Sequence, residues 1–200
     1  MTGKLILASS SPRRRAILNQ LGLVHIVHAS GLKEQPVLGE SPAATVERLA
    51  LEKARAVQEF YRNDIILAAD TAVVLDGEML GKPKDRQDAR NMLRRLQGRS
   101  HQVMTGVAVL SPAGEWSGVS ITKVRMRSLS DEEIEAYVAS GEPMDKAGAY
   151  AIQGLGASLI EEISGCFYNV VGLPVSLTIR LLRRAGYRAP NYALSETVDH

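Results

Sequence analysis

Unbroken apolar runs alternate along this chain with segments whose apolar positions recur every three or four residues, the patterns of strands covered on both faces and of amphipathic helices. Lys4-Leu5-Ile6-Leu7-Ala8 reads as an opening strand, Ile17, Leu18 and Leu21 as the inward side of a helix, and residues 24–29 as a second strand. After a polar loop over 31–40, Ser41-Pro42 starts a long helix that turns Val46, Leu49, Ala50, Ala54, Val57 and Phe60 to one side. Ile65-Ile66-Leu67-Ala68-Ala69 is a third strand that runs into Asp70-Thr71. Strand, helix, strand, helix, strand is the opening of an α/β protein.

The second half continues in shorter units. Asp76-Gly77 is a two-residue turn that folds 73–80 into a hairpin. A helix from Asp85 to about Leu96 carries Ala89, Met92, Leu93 and Leu96 inward. Strand-like runs over 101–110 and 116–127 are joined by Ser111-Pro112-Ala113-Gly114. Ser130-Asp131-Glu132-Glu133 forms a capping box that opens a helix ended by Gly141. A glycine-rich stretch over 146–156 precedes strand-like runs at 157–163 and 167–171, and a last helix starts at Pro174 and stops at Gly186. The pattern predicts one domain over 1–187 and a tail without periodicity over 188–200.

With 200 residues, 45% hydrophobic and 23% charged, the chain can build one sizeable core. A net charge of +2 argues for neither a nucleic-acid nor a membrane partner, and no apolar stretch approaches the roughly 20 residues that span a bilayer. The first strand begins almost at once, which leaves no room for a signal peptide and predicts a cytosolic location. Cys166 is the single cysteine, so no intrachain disulfide forms; it reads as a small, partly buried apolar residue. Arg90, Arg94, Arg95 and Arg99 share a helix surface with Asp85 and Asp88, and this reads as a solvated face rather than an RNA site. His25 and His28, on a strand, would point to opposite faces and do not make a zinc site.

Chemistry concentrates in two places. In parallel sheets ligands bind beyond the carboxyl ends of the strands, so Asp70 stands where a reaction would occur, although a carboxylate that only caps a turn fits the same segment. Ser9-Ser10-Ser11-Pro12-Arg13-Arg14-Arg15 opens the first helix with hydroxyls, free N–H groups and guanidinium groups. The helix dipole and the arginine charge both favour a polyanion there, a phosphate in particular. No dinucleotide fingerprint or Walker A loop explains it: Gly154-Leu155-Gly156 lacks a third glycine, and Gly81-Lys82 is followed by Pro83.

Six segments in order then carry a family resemblance. They are Ala8-Ser9-Ser10-Ser11-Pro12-Arg13-Arg14, Ala69-Asp70-Thr71, Gly81-Lys82-Pro83, the run 101–107, the run Asp145 to Gly154, and Asn169-Val170-Val171-Gly172-Leu173-Pro174. Through them the chain, from Leu5 to Gly186, resembles the Maf family of nucleoside triphosphate pyrophosphatases. The resemblance implies an α/β fold with a mixed, elongated sheet flanked by helices and two lobes around a central cleft, as in inosine triphosphatases. It also implies hydrolysis of a nucleoside triphosphate to monophosphate and pyrophosphate with a divalent cation, Mg²⁺ or Mn²⁺. The segment 146–154 looks like the branch acting on dTTP and UTP rather than on 7-methyl-GTP. A purine substrate and a nucleotide-sensing division regulator are the rival readings, and a homodimer is left open.

Carried over position by position, Asp70 matches the proton acceptor, and Arg13, Thr71 and Gln153 match positions tied to substrate choice. Glu34, Lys53 and Lys82 match positions near metal and phosphates. Glu34 and Asp70 would then hold the metal, and Ser9, Arg14, Lys53 and Lys82 the phosphates. Thr71 and Gln153 offer a hydroxyl and an amide suited to a pyrimidine edge. His101 and Thr105 read as structural hydrogen-bonding residues. Two departures are local: Gly165-Cys166-Phe167-Tyr168 replaces the usual Gly-Ser-Tyr, and Gly31-Leu32-Lys33 replaces an acidic run before Glu34.

Overall fold

Strand length decides the shape of this molecule. The computed structural model describes residues 3–32, 35 and 37–188, and among them seven strands form one sheet. In chain order the elements are β1 (Leu5–Leu7), α1 (Pro12–Gln20), β2 (Ile26–Val27), α2 (Pro42–Gln58), β3 (Ile65–Leu75), β4 (Glu78–Leu80), α3 (Arg86–Leu96), β5 (Ser100–Ser111), β6 (Gly114–Met126), α4 (Asp131–Ala139), β7 (Ile160–Ser164), α5 (Phe167–Val171) and α6 (Val175–Arg184). The order across the sheet is β2-β1-β3-β5-β6-β7, with β4 against the far half of β3. β1 is parallel to β2 and β3, and the remaining pairs are antiparallel.

The side-chain alternation of β3 sorts the cores, because successive residues face opposite sides of a sheet. Ala68, Ala72 and Val74 face α2, where Val46, Ala50, Ala54 and Val57 are fully buried. On the other face Ile65, Leu67 and Ala69 join a core built with α1 and α6, while Val73 and Leu75 join a second core built with α3 and α4. Thr71 lies between the two. A long strand shared by two separate cores makes two lobes with a seam, and the seam falls at Thr71.

α2 starts where expected, with the Ser41 hydroxyl accepting from the Ala44 amide at 3.3 Å and Pro42 in the first turn. Its close seat on the sheet depends on Gly106 of β5, where a Cβ would lie 2.2 Å from the Val46 carbonyl oxygen. α4 opens with the full capping box of Ser130 and Glu133, and α6 ends at Gly186 with φ +79°.

Several expectations are corrected. β3 does not stop before Asp70 but runs on to Leu75, since β5 pairs with it continuously from Ile66 to Val74. The second strand shrinks to two exposed residues at the sheet edge. Residues 167–171 form a helix, because a run of five residues carries no decisive period and Gly165 and Gly172, at φ +130° and +120°, turn the chain at either end. The glycine-rich stretch and the residues on either side of it form three short 3₁₀ turns, Glu142–Asp145, Ala147–Ala149 and Gly154–Leu159, so the strand expected from 157 begins only at Ile160. Phe60 lies beyond the end of α2, is exposed, and stacks on His28 with ring centroids 5.2 Å apart. The tail expected over 188–200 lies, from 189 on, outside the described residues.

Candidate active site

The site exists because β1 is short. Its last bond to β3 is the Ala8 amide donating to the Leu67 carbonyl at 2.7 Å, after which the chain turns away into α1. β4 meets β3 only from Val73 onward. Between these neighbours the edge of β3 is open, and it borders a cleft of about 950 Å³. Asp70 and Thr71 point to opposite faces of the sheet, yet both line that cleft because no strand separates them there.

Asp70 is 8% exposed, and Lys53 Nζ of α2 lies 2.5 Å from its Oδ1. Burying a carboxylate this deep costs free energy unless a cation or hydrogen-bond donors face it. Lys53 supplies one, and the helix that carries it is held down by the contact at Gly106. On the opposite face Arg14 is the organiser. Its Nε donates to the Gly172 carbonyl at 2.8 Å, Nη1 to Ser9 Oγ at 3.1 Å, and Nη2 to Thr71 Oγ1 at 3.1 Å. Ser9 Oγ also accepts from the Ser11 amide. These bonds draw the start of α1, β3 and the turn after α5 to one point.

A buried relay backs Thr71. Thr105 Oγ1 donates to the Asn169 carbonyl at 3.0 Å and lies 2.9 Å from Thr71 Oγ1. With the Thr105 proton so used, Thr71 donates to Thr105 and accepts from Arg14. The Thr71 proton is therefore spent inside the protein, and its hydroxyl braces Arg14. Asn169 is anchored in turn, its Nδ2 donating to the Val103 carbonyl and to Thr122 Oγ1, both at 2.9 Å.

The second lobe supplies the other wall. Gly81 accepts from the Gly148 amide at 3.0 Å, which sets the exposed Lys82 beside the turn over 147–149. Lys146 Nζ donates to Asp145 Oδ1 at 2.5 Å, and Arg13 Nη1 of the first lobe lies 3.6 Å from Asp145 Oδ2. Burial opposes the charge on Asp145, but the Lys146 contact and the Arg13 field prevail and hold its pKa below the ordinary value. Tyr150 lines the cleft with its hydroxyl 2.6 Å from His101 Nε2. Burial pushes His101 down to about 4, so the imidazole is neutral near pH 7.

Ser9, Arg13, Arg14, Lys53, Asp70, Thr71, Lys82 and Gln153 all line the one cleft. Glu34 lies outside the described residues. Sequence reasoning assigned no role to Asp145 or Lys146, although they open one of the six segments, and it took Thr105 for a residue of structure alone. Among the described residues no three His, Cys, Asp or Glu side chains stand together as a metal cage. The donors present suit a hard cation that takes one or two carboxylates and completes its shell with water and phosphate, as Mg²⁺ does.

A family model described as Maf-like protein matches residues 4–185. The chain is similar to the dTTP/UTP pyrophosphatase of Symbiobacterium thermophilum, 55% identical over 184 residues that cover 92% of this chain and 95% of that protein. It is 52% identical over 194 residues to the dTTP/UTP pyrophosphatase of Anaeromyxobacter dehalogenans, covering 95% and 98%. It is likewise 52% identical over 190 residues to that of Dictyoglomus turgidum, covering 94% and 98%. Among solved structures the Ham1 protein of Staphylococcus aureus superposes with a TM-score of 0.52 at 14% identity over 90% of this chain and 96% of that one. A Ham1 protein from Coxiella burnetii gives 0.50 at 14% over 80% and 81%. At such identity the likeness speaks to the fold alone.

Proposed function

The chain belongs to the Maf-like family, and from that premise we propose that it hydrolyses dTTP and UTP to the monophosphate and pyrophosphate by attack of water at the α phosphate. The observation that carries this reading is Asp70. A nearly buried carboxylate held by Lys53 borders the same cleft as the arginine-bearing start of α1. A base therefore stands beside a polyanion site.

The start of α1, with Ser9 and the Arg14 it holds, would receive phosphate oxygens from the first lobe. Lys82 would meet them from the second. Lys53 carries three N–H donors, so one ammonium can hold Asp70 and a phosphate oxygen in the same complex. The water proton would pass to Asp70 Oδ2, the oxygen opposite the one Lys53 holds. Asp70, with Glu34 as the resemblance implies, would ligate Mg²⁺ or Mn²⁺. When bound, that ion supplies neutralisation of polyphosphate charge and a more acidic water. Gln153 at the cleft mouth would read the base edge, with Arg13 beside it. Thr71 would brace Arg14, and the second lone pair of its hydroxyl would still accept from the base edge.

The test is a panel of nucleoside triphosphates with Mg²⁺ or Mn²⁺, following monophosphate, pyrophosphate and phosphate release. The expected result is pyrophosphate and monophosphate from dTTP and UTP well ahead of ATP, GTP and 7-methyl-GTP. Phosphate and a diphosphate as first products would overturn the placement of the polyphosphate, and a preference for 7-methyl-GTP would overturn the choice of base.

A further inference from the structure

Gln153 stands on a short loop whose two ends are tied to a single place. Before it, the Ala151 amide donates to Tyr137 Oη at 3.3 Å. After it, the Leu155 amide donates to Glu142 Oε2 at 3.0 Å and the Gly156 amide to Glu142 Oε1 at 2.9 Å. Tyr137 Oη itself donates to Glu142 Oε1 at 2.9 Å. The backbone of the loop thus hangs from one carboxylate and phenol pair rooted in the second core through the buried ring of Tyr137, while the Ile152 side chain beside Gln153 packs into the first core.

The fit between loop and pair is close enough to dictate sequence. At Gly154, φ is +70° and a Cβ would lie 2.6 Å from Glu142 Oε2. At Gly156 a Cβ would lie 2.6 Å from Tyr137 Oη and 2.4 Å from the Ala151 carbonyl oxygen. Both glycines let backbone lie directly on the anchoring side chains. Burial works against the charge on Glu142, but the two amides and the phenol outweigh it and hold its pKa below the ordinary carboxylate value. Lys146 Nζ adds a bond to the Glu142 carbonyl at 2.9 Å, which ties the adjoining cleft wall to the same turn.

Neither Glu142 nor Tyr137 lines the cleft, whereas Ala151, Ile152 and Gln153 do. We propose that Glu142 and Tyr137 are positioning residues for base recognition, setting the height at which the Gln153 amide meets the pyrimidine without touching substrate themselves. This rests on the reading of Gln153 as the residue that meets the base. A bonding side chain must be held to within a fraction of an ångström to discriminate, and a misplacement of about 1 Å costs as much as about 10²-fold in rate.

Two variants test it. Glu142→Gln turns one acceptor oxygen into a donor facing an amide N–H, and Tyr137→Phe removes the phenol while keeping the packed ring. With each, kcat and KM for UTP, dTTP, GTP and 7-methyl-GTP are measured beside wild type, Gln153→Ala and the double variant Glu142→Gln/Gln153→Ala, together with hydrogen exchange of the amides of residues 151–156.

The expected result is a pyrimidine KM raised about tenfold or more with a smaller change in kcat, a narrowed pyrimidine-to-purine ratio, and faster exchange at Leu155 and Gly156. Because Glu142 acts through Gln153, adding Glu142→Gln to Gln153→Ala should leave the ratio where Gln153→Ala put it. Folded variants with the wild-type ratio, or an equal further loss in the Gln153→Ala background, would overturn the inference. Should Glu142→Gln not fold, Tyr137→Phe decides by the same readouts. A wild type without pyrimidine preference would overturn the reading of Gln153, and this inference with it.

Discussion

At Asp70 two demands meet in one side chain, charge and depth. The carboxylate is 8% exposed and keeps company with an ammonium at 2.5 Å. Asp70→Asn keeps the size and still accepts from Lys53, but it cannot take a proton from water. Pyrophosphate release should fall by about 10² to 10⁴ with the fold retained; a variant turning over near the wild-type rate would remove Asp70 from the chemistry. His101 bears on stability rather than on chemistry. Burial lowers its folded pKa to about 4, below the unfolded value, so stability is fully present above about pH 6.5 and is lost as pH falls toward about 4. The slope should be about 1.4 kcal/mol per pH unit across that window. Urea unfolding from pH 7 to 5 checks it, and His101→Gln should flatten this part of the slope; equal slopes in both proteins would show that other groups govern it.

α2 illustrates what a single element contributes. It carries Lys53 to Asp70, and its seat is set by the absence of a side chain at Gly106, where the nearest atom to an added Cβ is backbone, the Val46 carbonyl oxygen at 2.2 Å. Backbone cannot swing aside as a side-chain tip can, so Gly106→Ala must move α2 or bend β5. A cost of about 1–3 kcal/mol in urea unfolding is expected, as for other overpacked sites. Catalysis should suffer as well, because the helix shift carries Lys53 away from the carboxylate. Unchanged stability and kcat/KM would show that α2 does not rest on that contact. The short β1 matters equally. Were it to continue beside β3, its backbone would close the edge at which Asp70 and Thr71 meet the cleft.

At the scale of the molecule, two cores on one face of β3 and β5 leave a seam, and the cleft proposed to take the substrate borders it. Arg13, Arg14 and Ser9 approach from one lobe and Lys82 and Lys146 from the other, with Gln153 on a loop whose Ile152 packs in the first core and whose Leu155 and Gly156 amides are tied to Glu142. A ligand that binds only the folded state stabilises it by about 2.7 kcal/mol at a hundred times its Kd. The non-hydrolysable α,β-methylene analogue of UTP with Mg²⁺ should therefore raise the melting temperature. Arg13→Ala and Lys82→Ala should each shrink the rise, since each lobe supplies part of the site. A rise that survives excess EDTA undiminished would speak against a metal-bridged complex, and a rise that neither variant alters would place the nucleotide elsewhere.

Much of this protein is local and so could be read from the chain. The Ser130 capping box, the Asp76-Gly77 hairpin, the proline-led starts of α1 and α2 and the glycine end of α6 follow from the backbone chemistry of a few neighbouring residues. Eight of the nine candidate site residues, recognisable in the ordered segments, stand around one cleft, and Glu34 lies outside the described residues. Other features were settled by partners far along the chain. Whether β3 ends before Asp70 or runs through it depends on β5, which pairs as far as Val74, and whether its edge is open depends on where β1 stops. Residues 167–171 became helical around a buried Asn169 whose bonds reach Val103 and Thr122. Arg14 reaches Gly172, the loop that carries Gln153 is tied to Tyr137 and Glu142 through the amides of Ala151, Leu155 and Gly156, and Thr71 is braced by Thr105. Periodicity and turn chemistry report the geometry of a segment by itself. An open sheet edge or a bond to a distant carbonyl belongs to a relation between segments, and only tertiary packing creates it.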